Sequence, residues 1–201
     1  FEYTMPGTRA EGTFRQEGTV QTVSGYACGD GKIAVRFMPE TTGRWEYRIV
    51  FDGGETVGSI LCTPAAPENH GPVRAKGMHM EYADGTRFLS FGTTCYGWIH
   101  QPDELRRQTL RSLAASPFNK IRMLLFPKFM PYNNTEPVMF PFQKNEAGEW
   151  DVSKPNYAFW DDLDTQLLAL DELGIEADLI LFHPYDRWGF DAMSREENLT
   201  Y

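Results

Sequence analysis

The spacing of apolar positions changes character near residue 73. Before it, short runs alternate between apolar and polar residues and are broken by glycine, proline and acidic turns. Gly18-Thr-Val-Gln-Thr-Val23 is followed by the turn Cys28-Gly-Asp-Gly31 and then by Lys32-Ile-Ala-Val-Arg-Phe37. Pro39 to Gly43 marks another turn. Arg44 to Phe51 alternates most cleanly, with Trp45, Tyr47 and Ile49 on one face and Arg44, Glu46 and Arg48 on the other. Side chains along a strand point to opposite faces in turn, so a period of two predicts half-buried strands. A small antiparallel β-sandwich over residues 1–73 is expected. Pro64, Pro67, Asn69, Gly71 and Pro72 then read as a linker.

Beyond residue 73 the runs lengthen. Arg74 to Phe88 predicts a hairpin turning at Asp84-Gly85. Phe88-Leu-Ser-Phe-Gly92 reads as a short buried strand ending in Thr93-Thr-Cys-Tyr-Gly-Trp98. A helix follows: Pro102 sits near its first turn, Asp103 and Glu104 complement its dipole, Leu105, Thr109 and Leu113 share a face, and Ser116-Pro117 stops it. Lys120-Ile-Arg-Met-Leu-Leu-Phe126 predicts a second buried strand. Pro127 to Pro155 is long and rich in Pro, Asn and aromatic residues, and connections of that length tend to be functional. Trp160, Leu163, Leu167 and Leu170 recur at helical spacing up to Gly174, and Ala177 to Phe182 predicts a third buried strand. Strand, helix, strand, helix, strand is the pattern of right-handed βαβ units on a parallel sheet. A closed eight-stranded barrel needs ~250 residues. The expected fold is therefore multidomain, β followed by α/β: a small antiparallel sandwich over 1–73, then βα units over 74–201 that would open a (β/α)8 barrel, incomplete within this chain.

Charge and composition narrow the partners. The 201 residues carry a net charge of -9, which argues against nucleic acid or an anionic membrane as a partner, since both need a basic face. No apolar run approaches the ~20 residues of a membrane span. Phe1-Glu-Tyr-Thr-Met-Pro6 shows no basic stretch before an apolar core, so a cytoplasmic location is expected. Cys28, Cys62 and Cys95 are irregularly spaced and suggest neither a disulfide framework nor a zinc site. His70, His79 and His100 lack metal-ligand spacing. No metal and no cofactor are expected.

The candidate chemistry gathers where the three later strands end. The first delivers Thr94, Cys95, Tyr96 and Trp98, and the third delivers His183, Tyr185, Asp186 and Trp188. The second carries Arg122 among Ile, Met, Leu and Phe. A charge inside an apolar strand is costly unless paired, so Arg122 predicts a buried carboxylate or a ligand beside it; the alternative is an Arg lying outward against a helix carboxylate. His183 is a candidate functional histidine or a hydrogen-bonded structural one. Trp98 and Trp188 fit either the core or stacking on sugar rings. A pair of catalytic carboxylates would need the right separation, and Asp186 alone does not make one. Asp161, Asp162 and Asp164 read as dipole partners on a helix surface.

Together these stretches have a familiar look. Tyr82-Ala-Asp-Gly-Thr-Arg-Phe-Leu-Ser-Phe-Gly-Thr-Thr-Cys-Tyr-Gly-Trp98 resembles the opening of the apiosidase-like, cellulase-related (β/α)8 glycoside hydrolases. Phe118-Asn-Lys-Ile-Arg-Met123 is similar to their second strand, and Leu181-Phe-His-Pro-Tyr-Asp-Arg-Trp-Gly189 to their third. Val35-Arg-Phe-Met-Pro-Glu-Thr-Thr-Gly-Arg-Trp-Glu-Tyr-Arg48 resembles the immunoglobulin-like domain that precedes such barrels. The resemblance implies retaining hydrolysis of an oligo- or polysaccharide of plant or microbial origin. Its acid/base would be a Glu after an Asn on a fourth strand and its nucleophile would stand on a seventh, so both catalytic carboxylates are expected beyond Tyr201. Arg122 and His183 match supporting positions of the family. Cys95, Tyr96, Tyr185, Asp186 and Trp188 match sugar-binding positions. A non-catalytic carbohydrate-binding or scaffolding protein is the alternative, and the remainder of a barrel, or another copy of the chain, is a conceivable partner.

Overall fold

The computed structural model describes residues 1–132 and 135–201. The chain divides into two compact units, Phe1–Gly71 and Pro72–Tyr201.

The first unit is all β. Its strands are β1 (Glu2–Pro6), β2 (Ala10–Gln16), β3 (Thr19–Ser24), β4 (Tyr26–Gly29), β5 (Lys32–Arg36), β6 (Gly43–Phe51) and β7 (Gly54–Cys62). They pair antiparallel into two sheets, β1-β5-β4 and β3-β2-β6-β7. Met5, Phe14, Ile33, Val35, Phe37, Trp45 and Ile49 form the core these sheets share. Trp45 and Ile49 lie on the face of β6 that the alternation assigned to the interior, and both are fully buried. Burial of such a side chain contributes roughly 1.5–3 kcal/mol. The unit is sandwich-like, with β2 and β6 side by side in the middle of the larger sheet, β2 turning into β3 at one edge and β6 into β7 at the other.

The second unit begins with a meander of β8 (Val73–Lys76), β9 (His79–Tyr82) and β10 (Arg87–Phe88). The Asp84-Gly85 turn joins β9 to β10, with Gly85 N–H donating to the Tyr82 carbonyl at 2.9 Å. A second turn at Gly77, where φ is +60°, joins β8 to β9. Next come β11 (Gly92–Thr94), α1 (Asp103–Ala114), β12 (Lys120–Leu124), β13 (Phe142–Lys144), β14 (Trp150–Pro155), α2 (Tyr157–Asp171), β15 (Glu176–Ile180) and α3 (Arg195–Thr200). β11, β12 and β15 form a parallel sheet. β13 and β14 form a separate hairpin. Gly92 is required by close approach, because a Cβ there would overlap the Lys120 backbone oxygen of the neighbouring strand.

The expectation of an incomplete (β/α)8 barrel is corrected by this structure. Among the described residues the chain is mostly β and is split into five small sheets, of which one is parallel, and that one has three strands of three to five residues. The antiparallel meander and hairpin supply the other strands of the unit. The anticipated strands also stop early. β15 ends at Ile180, leaving Leu181 and Phe182 half exposed, and Leu89 and Phe91 of the first anticipated strand are exposed as well. Apolar character was read there as burial, yet isolated exposed apolar side chains are common on folded proteins.

The parallel sheet is two-faced. Ile121 and Met123 are fully buried with Leu113, Phe159, Leu163 and Leu170 of the two long helices. Arg122 alternates to the other face. On α1 the inward side is Arg106, Leu110 and Leu113 rather than the Leu105 side, which is half exposed. Arg106 is drawn inward by an ion pair to Asp162 of α2, and its backbone oxygen accepts a hydrogen bond from Trp98 Nε1 at 3.2 Å.

Candidate functional site

The segment Leu124–Phe129 prolongs β12 and acts as a spine to which two distant stretches are tied. Leu124 N–H donates to the Tyr96 carbonyl at 3.0 Å, Leu125 N–H to the Ile180 carbonyl at 3.1 Å, and Phe129 N–H to the Tyr185 carbonyl at 2.8 Å. These bonds bring residues from after β11, β12 and β15 into one patch. At its centre is the Lys128 ammonium, 4.6 Å from the ring centroid of Tyr96, 5.1 Å from that of Tyr185 and 5.8 Å from that of Tyr132. All three distances fall within the range in which a cation is attracted by the negative face of an aromatic ring. Tyr96 and Tyr185, both expected at the site, are therefore gathered together.

His183 stands beside them, its ring stacked 6.2 Å from that of Tyr185. The Tyr185 backbone N–H donates to Nδ1 at 3.1 Å. Nδ1 is therefore the acceptor, and Nε2 carries the proton that it donates to the Phe126 carbonyl at 3.0 Å. Both ring nitrogens are thus engaged with backbone, and the imidazole pins the Tyr185 turn to the spine.

Asp186 is likewise engaged. Its Oδ1 accepts from Trp188 N–H at 2.8 Å and its Oδ2 from Asp191 N–H at 3.0 Å, which shapes the turn after His183. Trp188 is partly buried and donates its Nε1–H to Glu136 Oε1 at 2.9 Å. Arg187 reaches the other oxygen of the same carboxylate at 2.7 Å, with its guanidinium 4.8 Å from the Phe129 ring centroid and 4.9 Å from that of Trp188.

Two of the anticipated sugar contacts lie toward the core. Trp98 is 3% exposed and belongs to the core of the second unit, one of the two places its sequence context allowed. Cys95 is half-buried and packs against the same core, and burial pushes its thiol pKa up.

Arg122 does have a carboxylate beside it, but not a buried one. Its Nε donates to Asp178 Oδ2 at 2.9 Å, and Lys120 Nζ lies 3.1 Å from the same oxygen. The Arg122 side chain is 47% exposed. Burial pushes the Asp178 carboxyl up, but the hydrogen bonds and charges of Arg122 and Lys120 outweigh it and hold the pKa below the usual value. No hydrogen bond or ion pair links Arg122 to His183.

Behind the patch, His100 is 3% exposed and stacks 5.7 Å from Phe159. Neither ring nitrogen makes a hydrogen bond to a described residue. Burial pushes its pKa down to about 4, against the pull of nearby backbone groups of Met139, Leu124 and Leu125. The imidazole is therefore neutral at pH 7. Among the described residues no three His, Cys, Asp or Glu are grouped to hold a metal ion, and no helix is long and apolar enough to cross a membrane.

Four residues of this region escaped the sequence reading: Asp178, Lys128, Tyr132 and Glu136. Asp178 had a signal, since it interrupts the apolar run 177–182 as Arg122 interrupts its own. Lys128, Tyr132 and Glu136 sit in the long Pro127–Pro155 connection, whose length was the only sign. Asn133 and Asn134 of that connection lie outside the described residues.

Residues 4–52 match a family described as a domain of unknown function, DUF5060. No curated protein matches the sequence. Among solved structures, a protein of Bacteroides vulgatus described as a candidate glycoside hydrolase is 38% identical, with a TM-score of 0.94. The match covers 100% of this chain and 44% of that one, so this chain spans less than half the length of its relative. A family 5 glycoside hydrolase of the same organism is 14% identical with a TM-score of 0.45, covering 69% of this chain and 30% of that one. A further glycoside hydrolase is 13% identical with a TM-score of 0.40, covering 59% and 27%. Only the first of these likenesses is close enough to bear on structure in detail.

Proposed function

We propose that the chain is part of a glycoside hydrolase that cleaves O-glycosidic bonds in a plant or microbial saccharide. The observation that carries this is the 38% identity, over the whole chain, to the Bacteroides vulgatus protein described as a candidate enzyme of that class. The aromatic patch around Lys128 supports it, because tyrosine rings present a flat apolar face to the C–H groups of a sugar. The narrower relation is to the apiosidase-like enzymes, with a retaining mechanism that uses two carboxylates about 5–5.5 Å apart.

Within these residues the role is substrate holding and support rather than bond cleavage. Asp186 is committed to two backbone N–H groups and Asp178 to two cations. Neither is placed to serve as acid or nucleophile, and the reacting carboxylates belong to the remainder of the enzyme. His183 acts as a positioning residue that sets the Tyr185 ring. Arg122 acts as a local positive charge that keeps Asp178 ionised.

The test is hydrolysis of an oligosaccharide panel by the full-length protein, with product anomers followed by NMR. Cleavage of at least one substrate with retained anomeric configuration is expected. Absence of cleavage across neutral and acidic substrates alike would remove the enzymatic reading and leave a carbohydrate-binding one.

A further inference from the structure

We infer that Tyr96, Tyr132, Tyr185 and Lys128 form a subsite for an acidic saccharide, with an anionic substituent of the sugar on the Lys128 ammonium and its ring against the tyrosines. This rests on the saccharide-processing reading above and adds the charge of the substrate. The chain carries 28 Asp and Glu against 19 Lys and Arg, so carboxylates are abundant. Lys76, Lys120 and Lys154 each have one within 3.1 Å. Among the described residues Lys32, Lys128 and Lys144 have none, and of these three Lys32 and Lys144 are exposed whereas Lys128 is partly buried.

A partly desolvated ammonium without a counter-ion is unfavourable unless something compensates it. The three ring faces do so in part, and an arriving anion would complete it with a charge-assisted hydrogen bond. The patch is also open to solvent: Tyr132 is 77% exposed and Tyr185 49%. Backbone hydrogen bonds hold Tyr96 and Tyr185 in place before any ligand arrives, so little ordering is needed on binding. A neutral sugar would stack on the rings but leave the ammonium unpaired.

Calorimetry on the full-length protein tests this. The probes are oligogalacturonate, oligoglucuronate and a sulfated chondroitin oligosaccharide, each beside its carboxyl-reduced or desulfated counterpart. At least one acidic member is expected to bind about tenfold or more tightly than its neutral counterpart, the factor that one charge-assisted hydrogen bond supplies. Lys128→Met should erase that preference, so that the acidic and neutral members of a pair bind within about twofold of each other, and Lys128→Arg should keep most of it. The pair that shows the preference identifies the anion as carboxylate or sulfate. A preference that survives Lys128→Met, or no preference for any acidic probe, overturns the inference. Cleavage of neutral oligosaccharides without acidic preference would sink this proposal and spare the enzymatic reading, whereas no binding or cleavage of any saccharide would sink both.

Discussion

Arg122 Nε donates to Asp178 Oδ2 at 2.9 Å across two neighbouring parallel strands, and the two residues face each other in the strand register. Lys120 completes the group from two residues earlier on the same strand. Two cations on one carboxylate, on a strand face turned away from the helices, make a polar stripe where the sequence suggested an apolar strand.

Because the Arg122 side chain is 47% exposed, its pairing with Asp178 should contribute little to stability. A double-mutant cycle of Arg122→Ala and Asp178→Ala is expected to give a coupling energy below about 1 kcal/mol. The Asp178 pKa is lowered in the folded protein. Its contribution is therefore present above the ordinary carboxylate pKa and is lost as pH falls through the folded value. Urea titrations at pH 7 and pH 3 should show the coupling shrinking at the lower pH. A coupling of several kcal/mol would mean the pair is shielded from water.

The arrangement of His183 predicts a single tautomer. Nitrogen-detected NMR of the neutral imidazole should show the proton on Nε2 rather than Nδ1, as the bonds to Phe126 and from Tyr185 require. His183→Ala should free the Tyr185 turn and cost about 1–2 kcal/mol, since the Phe126 carbonyl and the Tyr185 N–H both lose their partner. Under the proposed hydrolase activity, the same variant of the full-length protein should raise KM for oligosaccharides more than it lowers kcat. The reverse pattern would make His183 a participant in the chemistry.

Acid should destabilise the second unit through His100. The folded pKa is pushed down to about 4 while the unfolded value is the ordinary 6.5. The unfolded chain therefore binds the proton first, and stability falls as pH drops from about 6.5 to about 4. The full effect of one such group is about 3 kcal/mol. His100→Phe keeps an aromatic ring beside Phe159 and should flatten this part of the stability profile, measured by denaturant midpoints between pH 7 and 4. An unchanged profile would show that His100 is not the group responsible.

Local pattern was legible where one face of an element is buried and the other is wet. The alternation of Arg44 to Phe51 coincides with β6, and Pro102, Ser116 and Pro117 bracket α1 at Asp103–Ala114. Such periods follow from backbone geometry alone, so no knowledge of neighbours is needed. The amino-acid sequence also set the acidity of the chain and the presence of Tyr96, His183, Tyr185 and Arg122 near strand ends.

What the sequence could not settle was which of two chemically equal side chains goes inside and which charges meet. Trp98 and Trp188 read alike, yet Trp98 is 3% exposed while Trp188 turns its indole N–H to Glu136. Arg122 read as a charge in need of a partner, but only the parallel register between β12 and β15 selects Asp178, 56 residues away. Lys128 carried no signal of its own, because its significance lies in three tyrosines that backbone hydrogen bonds and loop paths draw around it. Periodicity is a property of neighbours along the chain, whereas pairing and burial are decided by packing between residues far apart in it, and that is the information tertiary structure adds.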